Sequence, residues 1–232
     1  MEACQRSAES FSNRQRKYFG LNTSVHGIKQ LSTSRNTMLS RTTFFVKERI
    51  GFVKITDAYD IFDPETQQQI GVAKEEPAAW AKYLRLIIDK RLLPTTVNVY
   101  ENGNETPLFS IHRPTTFFRS KVRVTGPGAQ SFGYFKSKLF SLGGGFHVFD
   151  SGDRQVAEVK GDWKGWNFKF VTNDGREVGS VTKKWAGIGK ELFTSADNYM
   201  ISLADAPGGN TAASTLLLAA GLAIDVVYKE KS

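Results

Sequence analysis

The feature that most constrains this chain is a lone apolar helix at the end of an otherwise hairpin-rich sequence. From Ala212 to Val227, about 16 apolar-dominated positions run without a turn signal and carry one late carboxylate, Asp225. At ~1.5 Å per residue such a helix reaches roughly 24 Å, short of the ~30 Å hydrocarbon core of a bilayer. A carboxylate in its last turn is costly against lipid. Two destinations are open to it, a membrane or the middle of a closed sheet. Ala219, Ala220, Gly221 and Ala223 suit a narrow bore, with Leu216, Leu217, Leu218 and Leu222 filling its wider levels. Burial inside the sheet is the expectation.

The rest of the chain supports a closed sheet, because one hairpin pattern recurs. Return strands are expected at Ile70–Lys74, Leu108–His112, Phe132–Lys136, Val156–Lys160 and Val178–Thr182, each with apolar residues bracketing varied ones. Between strands lie Asp63-Pro64-Glu65-Thr66, Asn102-Gly103-Asn104, Ser151-Gly152-Asp153 and Asn173-Asp174-Gly175, which supply the dihedrals of tight reversals. Repeated hairpins of this kind predict a sandwich or barrel, and closure removes exposed strand edges. With 232 residues and 40% hydrophobic content, the chain can build one such core. A second helix is expected over 77–91. Pro77 suits its first turn, Trp80, Leu84, Ile87, Ile88 and Arg91 fall on one side and Lys82, Arg85 and Asp89 on the other; a cover over one barrel end is the expectation, and a basic amphipathic helix lying on a membrane the alternative.

Two further segments carry a family resemblance. The run Val178 to Trp185, the run Glu191 to Tyr199 with its Asp197-Asn198-Tyr199 motif, and the apolar helix with Asp225 resemble the phospholipid scramblases and the LURP-one-related proteins. The resemblance is specific over 146–230 and looser over 43–145. It implies the Tubby C-terminal fold: a mainly β, antiparallel barrel of about twelve strands enclosing a hydrophobic C-terminal helix. It also implies a non-enzymatic, lipid-related role, with transbilayer lipid scrambling as the family's further activity. A proposed calcium loop of that family would fall on Ser195 to Ala206, where Ser195 and Ala206 replace the first and last acids. Asp197 and Asn198 alone fall far short of the six to eight oxygens calcium takes. Neither calcium nor another cofactor is expected.

Charge points to the partner. The net charge is +8, and the surplus within the barrel sequence is concentrated between residues 113 and 190. Arg119, Lys121 and Arg123 alternate along one strand, Lys136 and Lys138 along the next, and Lys160, Lys164 and Lys169 interleave with Trp163, Trp166 and Phe168. Period-2 geometry puts each of the first two sets on one strand face, and like charges on neighbouring strands cost stability unless something anionic answers them. These eight residues are the candidate site. An anionic lipid, a phosphoinositide or a membrane surface is the expected partner; a nucleic-acid-associated regulator and a structural scaffold barrel are the alternatives.

Other chemistry has little support. Gly143-Gly144-Gly145 and Gly187-Ile188-Gly189-Lys190 lack phosphate-loop spacing. His112 and His147 have no Cys neighbour, so a transition-metal site is not expected, and no nucleophile-base-orienter set is recognisable. An enzyme is therefore not expected. Residues 1–37 are Ser-, Asn- and Arg-rich and read as a disordered basic leader, with a transit peptide or a start at Met38 as alternatives; 38–232 reads as a single barrel domain. One cysteine, Cys4, excludes an internal disulfide. The expected compartment is the cytoplasm, peripheral at a membrane.

Overall fold

Alternation of apolar and polar residues, broken at tight turns, winds the chain into twelve consecutive antiparallel strands that close on themselves. The computed structural model describes residues 38–49, 56–88, 92–115, 121–137, 145–162, 166–183, 198–204 and 211–228, within a unit running from Asn36 to Ser232. The strands are β1 (Thr43–Glu48), β2 (Ala58–Phe62), β3 (Gln69–Glu75), β4 (Thr95–Glu101), β5 (Phe109–Arg113) and β6 (Lys121–Thr125). They continue as β7 (Ser131–Ser137), β8 (Gly145–Asp150), β9 (Gln155–Asp162), β10 (Asn167–Val171), β11 (Glu177–Thr182) and β12 (Asn198–Leu203). Each pairs with its neighbours in sequence, and β1 closes the ring by lying between β2 and β12.

The turns use the expected chemistry. Asp63 accepts a hydrogen bond from the Glu65 N–H (2.9 Å), and Asp150 accepts from the N–H groups of Gly152 (2.9 Å) and Arg154 (3.0 Å). Such side chains mimic a backbone turn and hold the reversal. All five expected return strands are present, as β3, β5, β7, β9 and β11.

The C-terminal helix, α2 (Thr211–Tyr228), has 18 residues and lies inside the barrel. Leu216, Leu218, Ala219, Ala220, Leu222, Ala223 and Ile224 are all buried, so the helix is covered around its whole circumference. Its neighbours are β5, β7, β8, β11 and β12, which no single outer face could provide. Burying each Leu or Ile contributes about 1.5–3 kcal/mol, which makes the helix the barrel's principal filling. Where it approaches β12 the fit is close: a Cβ on Gly221 would lie 2.7 Å from Ile201 Cδ1, so that side chain would have to shift. Among the described residues, no helix is long and apolar enough to cross a membrane.

Asp225 ends up buried near two tyrosines of the strand wall. Burial, reinforced by the charge of Asp225, raises the phenols of Tyr59 and Tyr199 well above their ordinary pKa. Both stay protonated.

The second helix departs from expectation. It is α1 (Ala79–Leu84), followed by turns to Ile88, and buried Pro77 precedes it. Residues 89–91, with Asp89 and Arg91, lie outside the described residues. Its orientation differs as well, although Lys82 is exposed as expected. Arg85, expected outside, has a buried side chain, whereas Trp80 is 55% exposed and Ile87 86% exposed. The cause is an ion pair. Arg85 Nη2 and Nη1 donate to the two carboxylate oxygens of Glu75 at 2.7 and 2.9 Å, and Nη2 also donates to Thr95 Oγ1 at 3.1 Å. Thr95 Oγ1 and the Asp57 N–H donate to the same carboxylate at 2.6 and 3.1 Å. A guanidinium whose two Nη atoms are paired in this way outweighs the preference of apolar side chains for the barrel side.

Candidate anion-binding site

Of the eight expected basic residues, five fall among the described ones. Lys121 and Arg123 on β6, Lys136 on β7, Lys160 on β9 and Lys169 on β10 are all exposed on the outer face of the barrel. Arg119, Lys138 and Lys164 lie outside the described residues, as do Trp163 and Asp197. The register sets Lys121 directly opposite Lys136, and Lys160 directly opposite Lys169. Like charges therefore do face each other across neighbouring strands.

The two pairs differ in their compensation. Lys160 has Glu158 at 3.6 Å and Lys169 has Glu177 at 2.7 Å. Lys121 instead lies over the ring of Tyr134, 4.1 Å from its centroid, and that ring stacks on Phe149 at 4.9 Å. Among the described residues no acid pairs with Lys121, Arg123 or Lys136. The uncompensated charge is at β6–β7.

That charge borders a cleft of about 210 Å³ between the start of β4, the end of β5 and β6. Arg113, Lys121, Arg123, His112 and Thr96 line it, and Ala78 and Pro94 bound it on the side of α1. No carboxylate lines it among the described residues. Arg113 is buried, and Arg123 lies opposite His112 across the β5–β6 ladder. Neither His112 nor Arg113 belongs to the expected basic set, because the register that brings His112 to Arg123 crosses a chain reversal that single-strand alternation cannot see.

His112 is held between two hydroxyls, with Nδ1 3.1 Å from Thr96 Oγ1 and Nε2 2.8 Å from Thr125 Oγ1. Burial pushes its pKa below the ordinary histidine value and the charge of Arg123 pushes it further down. The imidazole is neutral near pH 7. Because the folded state prefers the neutral ring, its contribution to stability is complete above the ordinary value of about 6.5 and is lost as pH falls through the lowered folded-state one. His112→Gln is therefore expected to flatten the acid limb of a stability-against-pH profile measured by chemical denaturation; an unaltered limb would contradict this environment.

Trp166, which interleaves with basic residues in the sequence, packs against the barrel core. Its ring meets Phe168 edge-on at 5.9 Å and Tyr199 at 5.7 Å, with Lys183 Nζ 4.1 Å from its centroid. Asn198 is buried within β12, opposite Lys47, rather than in an open loop. Among the described residues no group of three or more His, Cys, Asp or Glu side chains could hold a metal ion.

A closed twelve-stranded barrel filled by its own C-terminal helix is the architecture implied by the scramblase-type Tubby resemblance. The chain belongs to the Scramblase family, whose model matches residues 20–231. It is also similar to "Altered inheritance rate of mitochondria protein 25" of Saccharomyces cerevisiae, at 22% identity over 218 residues covering 80% of this chain. The chain spans 65% of that relative's length. No solved structure matches it.

Proposed function

We propose that this protein is a non-enzymatic membrane-binding domain that holds the phosphate of an anionic lipid in the cleft bordered by Lys121 and Arg123. The observation that carries the reading is the gathering of these cations around a cleft with no carboxylate lining it among the described residues. A cavity of about 210 Å³ is smaller than the ~300–1,000 Å³ of drug-sized sites and suits a phosphorylated headgroup. Membership in the Scramblase family supports a lipid as the source of that phosphate. The yeast relative's name refers to mitochondria, so the anionic mitochondrial surface is a natural first membrane to try. A nucleic-acid backbone would call for a longer uncompensated track, and here Glu158 and Glu177 interrupt it. Lipid scrambling is not part of the proposal.

Sedimentation with vesicles of phosphatidylcholine, alone and with an anionic phospholipid, tests it at low and high salt. Binding is expected only to the anionic vesicles and to weaken with salt. The exposed double substitution Lys121→Glu/Arg123→Glu should reduce it at least ~10-fold, since each cation near an anionic surface contributes about 1 kcal/mol and reversal loses more than neutralisation. An anion seated in the cleft also favours the imidazolium, so glycerophosphate should move the His112 titration upward in NMR. Equal binding to neutral vesicles, or gel shifts of DNA and RNA at matched salt without vesicle binding, would refute the assignment.

A further inference from the structure

Beside the cleft stands an apolar surface that the barrel does not use. Trp80, Tyr83, Leu86, Ile87, Ile88 and Leu92 are large hydrophobic side chains on α1 and its following turns, with Tyr83 77% and Leu86 73% exposed. Scattered exposed apolar residues are ordinary, but a cluster of this size confined to one short segment marks an interaction surface. The same segment buries a charged residue, Arg85, and small Ala81. Its polarity is thus inverted relative to a helix that only covers a barrel wall.

The arrangement is firmly set. The Glu75–Arg85 fork ties the segment to β3, Thr95 ties the same pair to β4, and Ala78 and Pro94 at the two ends of the excursion form one side of the cationic cleft. The apolar cluster and the phosphate-sized cleft therefore present side by side.

We propose that this segment is a prong that inserts into the acyl boundary of an anionic bilayer while the neighbouring cleft holds a lipid phosphate. The inference rests on the lipid reading of the cleft. Charge complementarity selects the occupant: exposed Lys121 and Arg123 at the edge of an apolar cluster match a negatively charged interface above hydrocarbon. A second copy docking through the same cluster would bring its own cations against these, which costs affinity. A nucleic acid would leave the apolar side chains without a partner. Trp80 and Tyr83 are residue types that settle at headgroup depth, and exposed Lys82 can extend to the phosphates.

The test uses the full chain with Cys4→Ser and a polarity-sensitive fluorophore on Ile87→Cys, compared with the same label on Asn104→Cys at the far end of β4. Vesicles of phosphatidylcholine with phosphatidylserine should blue-shift the probe at position 87 and leave that at 104 unchanged. In parallel, Leu86→Ser/Ile87→Ser alters only exposed positions and should weaken vesicle binding about 10-fold or more while preserving its salt dependence, because the lost area is apolar. Lys121→Glu/Arg123→Glu should abolish the salt dependence instead. If the unsubstituted protein binds anionic vesicles with the probe at 87 still in water, or the double serine variant binds equally well, insertion is overturned and the cleft reading stands. If the unsubstituted protein binds no vesicle, both fall. A probe already shielded in vesicle-free buffer, by a second copy or by residues 1–35, also overturns insertion.

Discussion

Gly133→Ala is expected to destabilise the barrel by about 3 kcal/mol or more, through overpacking and backbone strain together. Gly133 sits in β7 at φ +148°, opposite Val124 on one side and Asp150 on the other. A Cβ there would lie 2.0 Å from the carbonyl oxygen of Phe149, 3.1 Å from Asp150 Cα and 3.1 Å from Leu216 Cδ2 of the internal helix. The first two atoms belong to the backbone of β8, so no rotamer change relieves the contact. The strand pair must part or the helix must shift, and both lose core packing. Gly103→Ala serves as the control. Gly103 has φ +83° but nothing within 4 Å, so it reports dihedral strain alone, about 1–2 kcal/mol. Urea unfolding of the two variants measures the difference. Equal losses would mean that β7, β8 and α2 do not meet as described.

The other large effect is expected at the tether of α1. Arg85→Ala leaves Glu75 charged, buried and stripped of its principal partner, a loss of about 3–5 kcal/mol. Replacing both residues by methionine removes the stranded charge and should recover much of that loss. The contrast between single and double variants distinguishes a buried ion pair from simple packing. Acid titration supplies a second readout. Burial pushes the Glu75 carboxyl up, but the hydrogen bonds from Arg85, Thr95 and the Asp57 N–H outweigh it and hold the pKa below its ordinary value of 4.5. The pair's contribution is then complete above that value and is lost as pH falls through the lowered one. Glu75→Met/Arg85→Met should lose this acid sensitivity. An Arg85→Ala protein as stable as the unsubstituted one would contradict the buried fork.

These two sites mark where sequence reasoning reached its limit. The turns at Asp63, Asn102, Ser151 and Asn173, the period-2 strands between them and the apolar tail were legible because each is a local signal. The tail could be placed inside the sheet because its length, its small residues and Asp225 all disfavoured lipid. The orientation of α1 was not legible. Helical periodicity alone points Trp80 and Ile87 inward, and nothing in local spacing says that Arg85 finds Glu75 across the intervening turn. The candidate site divides in the same way. Alternation put Lys121 and Arg123 on one face, but the cleft also needs Arg113 and His112, and these arrive through the β5–β6 register. Gly133 is equally silent in the sequence, since its requirement comes from the carbonyl of a neighbouring strand.

The ring closes between β1 and β12, and the helix that fills it follows β12. A nascent chain emerging from the ribosome therefore has most of its sheet in hand long before the plug that the inner wall needs. During that interval Val46, Ile61, Val99 and Ile111 face water, and aggregation competes with closure. Closure is therefore complete only when a segment that follows the twelfth strand turns back into the space that the first strand has helped to enclose.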